Sequence, residues 1–368
     1  MKQVKKLRVL IFCMSLILLF SACSTGNQNK ITNSSTSSKE VAESSSRQVE
    51  TAGTETKTAE QETETEALAD SLNEIRIIGL AGPTGMGFAK LLADSEADST
   101  LTHYTMNLAA APDHLIAAAT KNEADIIAMP SNLASVLWNK TDGEFQVLAI
   151  NTLGVLNIVE KGENIQSIAD LKGKTIIAAG KGAAPEYAFN YLLNENGLNP
   201  KTDVQIEWKS EHQEVVAALA STDQAIGLLP QPFVTVALNK VEGLRIAIDL
   251  NTAWQDLNNG SEFVMGVVVA NKNFIAEHSA MITKFLADYQ ASVYFVNQQP
   301  VAAAELIEKY KILENAKIAE TAIPNCHITC ITGEEMSKAL DGYLEVLYHA
   351  NPQAVGGTMP DETLYFKK

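Results

Sequence analysis

One plan, used twice, constrains the fold of this chain more than anything else in it: a short β-rich run, a loop of small residues, then a helix-forming run. Residues 74–80 lead through 81–87 into 88–92, and residues 174–179 lead through 180–184 into 185–193. A shorter echo comes after each. Residues 125–129 turn at Pro130-Ser131 into 132–138, and residues 225–229 turn at Pro230-Gln231 into 232–238. Such a turn aims the unpaired N–H groups at a helix start past the carboxyl end of the preceding strand. Two lobes that each present two of these turns can face one another across a cleft.

From residue 73 onward the chain alternates β-branched runs with Ala- and Leu-rich runs. That pattern predicts an α/β fold in which each lobe is a mostly parallel sheet flanked by helices. Expected strands are 75–80, 101–105, 125–129, 146–150, 154–159, 175–179, 204–208, 225–229, 244–248 and 264–270. Expected helices include 113–120, 214–220, 279–297, 301–310 and 333–349. The last carries an apolar stripe of Met336, Leu340, Tyr343, Leu344 and Leu347. The runs 154–159 and 264–270 read as strands crossing between lobes and serving as the hinge. This division makes lobe 1 discontinuous, 73–157 plus 267–368, and lobe 2 the segment 158–266.

The first residues carry Lys2, Lys5, Lys6 and Arg8, then an apolar run over 9–20. That run is shorter than the about 20 residues a membrane span needs and reads as a secretory signal peptide, 1–22. The segment Leu19-Phe20-Ser21-Ala22-Cys23 resembles a bacterial lipobox, with Phe20 where the pattern prefers Leu. The resemblance implies lipidation of Cys23 and an extracytoplasmic protein anchored to the cell membrane; cleavage as an ordinary signal peptide near Ala22 is the alternative. Residues 24–72 are rich in Ser, Thr, Glu and Gln and poor in large apolar residues, the composition of a disordered tether. The formal net charge is −16, and no Lys/Arg cluster lies beyond the signal, which argues against a nucleic-acid partner. Cys13 leaves with the signal. Cys326 and Cys330 then stand as a possible local disulfide or as two buried thiols, and zinc is disfavoured because only His327 accompanies them.

Several segments resemble type II solute-binding proteins. Residues 167–176, Ser-Ile-Ala-Asp-Leu-Lys-Gly-Lys-Thr-Ile, are similar to the segment that opens the second lobe of that family. Residues 122–126, Asn-Glu-Ala-Asp-Ile, resemble its strand entry, and Asn271-Lys272-Asn273-Phe274 resembles the segment after the return crossing. The chain thus looks like the substrate-binding lipoprotein of an ABC importer, in the nitrate/sulfonate/taurine and thiamine-precursor group. The resemblance implies a monomeric receptor without cofactor that closes on a small solute and docks on a membrane permease.

Candidate ligand-binding residues sit in the four turns and beside the crossings. In the first lobe these are Gly82, Pro83, Thr84, Gly85, Met86, Ser131, Asn132, Asn151 and Thr152. In the second they are Lys181, Gly182, Ala183, Tyr187, Gln231 and Glu262. The loop over 82–87 reads G-x-x-G-x-G and is no dinucleotide fingerprint. Tyr187, Trp138 and Trp254 are candidate stacking faces. Past the tether only Arg76 and Arg245 remain, both on strands away from the turns. Anion receptors favour the bidentate arginine fork, so its scarcity leans toward a neutral or weakly charged organic solute. The six histidines are scattered singly, and no catalytic constellation stands out. The chain therefore reads as a binding module. An enzyme on the same fold resembling thiamine-pyrimidine synthases, resting on Cys326-His327-Ile328-Thr329-Cys330, and a sensor or adhesin module are the competing readings.

Overall fold

The computed structural model describes residues 74–367. The expected signal peptide, Cys23 and the tether lie outside the described residues.

Among the described residues eleven strands form two sheets. In chain order they are β1 (Glu74–Leu80), β2 (His103–Ala109), β3 (Ile126–Pro130), β4 (Phe145–Leu153), β5 (Leu156–Lys161), β6 (Thr175–Ala179), β7 (Gln205–Lys209), β8 (Ile226–Pro230), β9 (Leu244–Asp249), β10 (Val264–Asn271) and β11 (Ile328–Ile331). The first sheet runs β11-β4-β10-β3-β1-β2 and the second β7-β6-β8-β5-β9. Helices flank both, so the α/β class and the two-sheet plan stand.

The sheets are mixed rather than mostly parallel. β1 pairs in parallel with β2 and β3, and β6 with β7 and β8, as strand–helix–strand units require. β10 runs antiparallel to β3 and β4, and β5 antiparallel to β8 and β9. β5 and β10 enter their sheets from the opposite lobe, which reverses their direction. They are not, however, the crossing strands that the sequence predicts. β5 belongs wholly to the second sheet and β10 wholly to the first. The passages are Gly154-Val155 and the segment 256–263 after helix Leu250–Gln255.

Close packing at those passages explains Gly154. Its N–H donates to Asn251 Oδ1 at 3.1 Å, and a Cβ there would fall 2.5 Å from Phe263 and 2.9 Å from Asn251. Trp254 is fully buried beside it, stacked on Phe263 at 5.2 Å between centroids and edge-on to Tyr343 at 5.5 Å. Tyr343 belongs to helix Gly333–Ala350, whose stripe of Met336, Leu340, Tyr343, Leu344 and Leu347 is buried as its spacing predicts. The aromatic group thus joins the first lobe, the second lobe and one passage in a single apolar cluster.

The two arginines serve the frame. Arg76 pairs with Asp125 at 2.7 Å, and Arg245 pairs at 2.7 Å with buried Glu160, which also accepts the N–H groups of Asn164 and Ile165. Cys326 and Cys330 stand as free thiols, not as a disulfide. Cys326 is wholly buried, which pushes its thiol far up, and burial raises Cys330 to about 11. Among the described residues no helix is long and apolar enough to cross a membrane.

Candidate ligand cleft

A cavity of about 700 Å³ opens between the two sheets. Its walls come from the carboxyl ends of strands in both, where open α/β sheets hold ligands. The first lobe contributes Pro112 after β2, Pro130 to Leu133 after β3, Met265 of β10, Tyr343, and the segment of Asn351, Gln353 and Ala354. The second lobe contributes Leu156 of β5, Gly182 to Pro185 after β6, Tyr187, His212 after β7 and Pro230 at the end of β8.

Four helices begin at this wall, Pro112–Thr120, Ser131–Lys140, Ala184–Glu195 and His212–Ser221. Ser131 and Asn132 reach the cavity as expected, but their side chains are spent on the frame. Ser131 Oγ donates to the Val264 carbonyl at 2.6 Å, and Asn132 Nδ2 donates to the Ala354 carbonyl at 3.1 Å. Gly182, Ala183 and Tyr187 also line it. The Tyr187 hydroxyl donates to the Gly182 carbonyl at 3.0 Å and accepts from Asn351 Nδ2 at 2.9 Å. Tyr187 stands in the second lobe and Asn351 in the first, so this hydrogen bond spans the cleft.

Other expected residues lie elsewhere. The loop of Gly82, Pro83, Thr84, Gly85 and Met86 packs into the first lobe. Gly82 N–H donates to the Ile312 carbonyl at 2.9 Å, and Met86 is fully buried. Asn151 Nδ2 donates to the Thr84 carbonyl at 3.0 Å, and a Cβ added at Gly266 would crowd the side chains of Asn151, Thr84 and Thr152. Asn151 and Thr152 are nearly inaccessible, and their side-chain oxygens lack a partner among the described residues. Gln231 is buried and accepts from Thr235 N–H and hydroxyl, at 3.3 and 2.8 Å. Glu262 takes a hydrogen bond from Gln255, and Lys181 is exposed; neither borders the cavity. Trp254 belongs to the aromatic cluster and Trp138 packs over Gly143, so neither offers the cavity a stacking face.

Sequence reasoning missed His212, Met265, Tyr343 and the segment 351–354. His212 is largely buried against Phe233, 5.1 Å between ring centroids, and burial lowers its pKa from 6.5. Burial thus favours the neutral form of its ring. Tyr343 is fully buried and its hydroxyl has no partner among the described residues. Burial lifts its pKa far above the usual tyrosine value. Among the described residues no group of three or more His, Cys, Asp and Glu is placed to hold a metal ion.

Residues 99–318 match the family of ABC transporter phosphonate periplasmic substrate-binding proteins. The chain belongs to that family. A binding protein of Brucella abortus, named only as a candidate one, is 25% identical over 202 residues, which is 55% of this chain and 60% of the relative. The match thus spans less than two thirds of that relative's length. An ABC transporter protein from Parabacteroides distasonis superposes with a TM-score of 0.67 at 24% identity, covering 80% of this chain and 99% of the other. The aliphatic sulphonate binding protein SsuA of Escherichia coli superposes with a TM-score of 0.63 at 18% identity, covering 80% and 92%. These likenesses establish the two-lobed fold.

Proposed function

We propose that this family member is the extracytoplasmic receptor of an ABC importer, taking up a small organic solute between its lobes and presenting it to a membrane permease. The observation that carries the reading is the cavity, whose walls come from the strand ends of both sheets and whose rim is bridged by Tyr187 and Asn351. A solute touching both walls binds the closed form better than the open one, and that difference drives closure. The lobes divide near Gly154-Val155 and residues 256–263, which serve as the hinge. Lipidation at Cys23 and the acidic tether would hold this monomeric receptor at the membrane surface.

Binding without catalysis fits the site. Cys326 is buried and Cys330 partly so, burial raises both thiols above their ordinary pKa, and His327 turns its Nδ1 to the Gly154 carbonyl. None of the three borders the cavity. Trp254 contacts Tyr343 in the cavity wall, so its fluorescence reports closure. Titration with importer solutes, tracked by tryptophan emission and small-angle scattering, should give a saturable emission change with a smaller radius of gyration. Turnover of a solute without contraction would refute the reading.

A further inference from the structure

We infer that the cavity takes an uncharged, ring-bearing solute with a single hydrogen-bonding edge, and that Tyr343 and His212 are the residues that read that edge. The inference rests on the proposed solute-binding role and names the class of solute.

Among the described residues no Lys, Arg, Asp or Glu side chain borders the cavity. An oxyanion would therefore depend on the helix starts at its wall. Those starts are already compensated from within. Asp113, Glu186 and Glu214 occupy the first turns of three of them. The Gly182 N–H donates to Glu186 Oε2 at 2.5 Å, and the Ser210 N–H donates to Glu214 Oε2 at 3.0 Å. Pro112 and Pro185 remove two further donors. The fourth helix has no acid in its first turn, but the Ser131 hydroxyl is turned away to the Val264 carbonyl. A phosphonate or sulfonate entering here would meet no cation in the lining, at helix starts that three of the four helices already compensate with an acid of their own.

The unused groups are of a different kind. Tyr343 and His212 border the cavity, and Tyr343 Oη and His212 Nδ1 are buried with no partner among the described residues. A buried polar atom without a partner is costly and is ordinarily satisfied by something that occupies the adjoining space. The Tyr343 ring is clamped by Trp254 and Phe263, so its hydroxyl is held in place before any solute arrives. A neutral imidazole offers one donor and one acceptor, and a phenol offers both. The rest of the wall includes Leu133, Val136, Leu156, Met265 and the Tyr187 ring, surfaces that suit a flat apolar body.

The test is calorimetric titration of the full chain with two sets of probes, neutral rings (nicotinamide, cytosine, indole) and oxyanions (methylphosphonate, 2-aminoethylphosphonate, ethanesulfonate). Small molecules released by acid from the purified protein are identified by mass spectrometry alongside. A neutral ring should bind or be released, and Tyr343→Phe should weaken its binding at least tenfold. The melting temperature should not fall, because the lost hydroxyl has no protein partner. Binding or release of an oxyanion in preference to neutral rings overturns the inference, as does unchanged affinity in Tyr343→Phe. If neither set binds and nothing is released, the solute-binding reading itself fails.

Discussion

The two glycine-rich loops begin alike and end differently. The loop after β1 closes on itself and on Ile312, and its Gly85 lies where a Cβ would stand 2.6 Å from the Leu80 carbonyl. The loop after β6 leaves Lys181 exposed to solvent and Gly182 and Ala183 exposed at the cavity rim, and a Cβ at Gly182 would meet nothing within 4 Å. The residues on the carboxyl side of each loop decide its fate. Met86, Phe88 and Ala89 are apolar and drag the first into the core, whereas Pro185, Glu186 and Tyr187 keep the second at the cleft. A strand–loop–helix plan locates a turn, and the apolar content of the first helical turn says whether that turn is frame or site.

Substitutions can break this contrast. Met86→Ala should cost the most, about 2–5 kcal/mol of stability by denaturant unfolding, because a fully buried side chain leaves a cavity behind. Gly85→Ala should come next at about 1–3 kcal/mol, since the new methyl meets a carbonyl that cannot step aside. If either variant keeps its stability and loses solute binding instead, the first loop is site after all. Tyr187→Phe removes a hydroxyl hydrogen-bonded to both Gly182 and Asn351. It should weaken binding by roughly fivefold to tenfold in calorimetry, about 1–1.4 kcal/mol, with little change in melting.

A pH series sharpens the comparison further. Burial lowers the pKa of His212 in the folded chain below 6.5, so the unfolded chain takes up a proton first as pH falls. The stability this histidine permits is complete above about pH 6.5 and declines below it, and His212→Gln should flatten that part of the profile. The smallest effect belongs to Lys181→Ala, expected within about 0.5 kcal/mol of wild type in stability and neutral for binding.

Most strands are legible in the sequence because their β-branched runs are bounded by Gly, Pro or Asn. β2 begins two residues later than its pattern predicts, because Leu101 looks like a strand residue yet is 83% exposed in the turn before His103. β11 is not readable, because a four-residue strand that includes Cys330 carries no clear alternation; its place comes from pairing with β4, far away in sequence. The second-lobe half of the site is legible through the exposed loop and Tyr187. Tyr343 is hidden in plain sight. Its spacing in the stripe marks a core residue, which its ring is, while only the tertiary fold shows that the residue borders the cavity. Asn351-Pro352 reads as a helix breaker, but nothing local says that the segment behind it folds back over the helix after β3.

That fold-back has a consequence for biogenesis. Val355 is held by Ser135 and Asn139, Thr358 by Asn139, and Phe366 N–H donates to the Val147 carbonyl at 3.0 Å. The partition facing Tyr187 is thus supplied by residues that leave the ribosome after both sheets have been made. A nascent chain short of them has a cavity that is still missing a side. The wall opposite Tyr187 is finished only once residues 351–354 have been added to sheets already made.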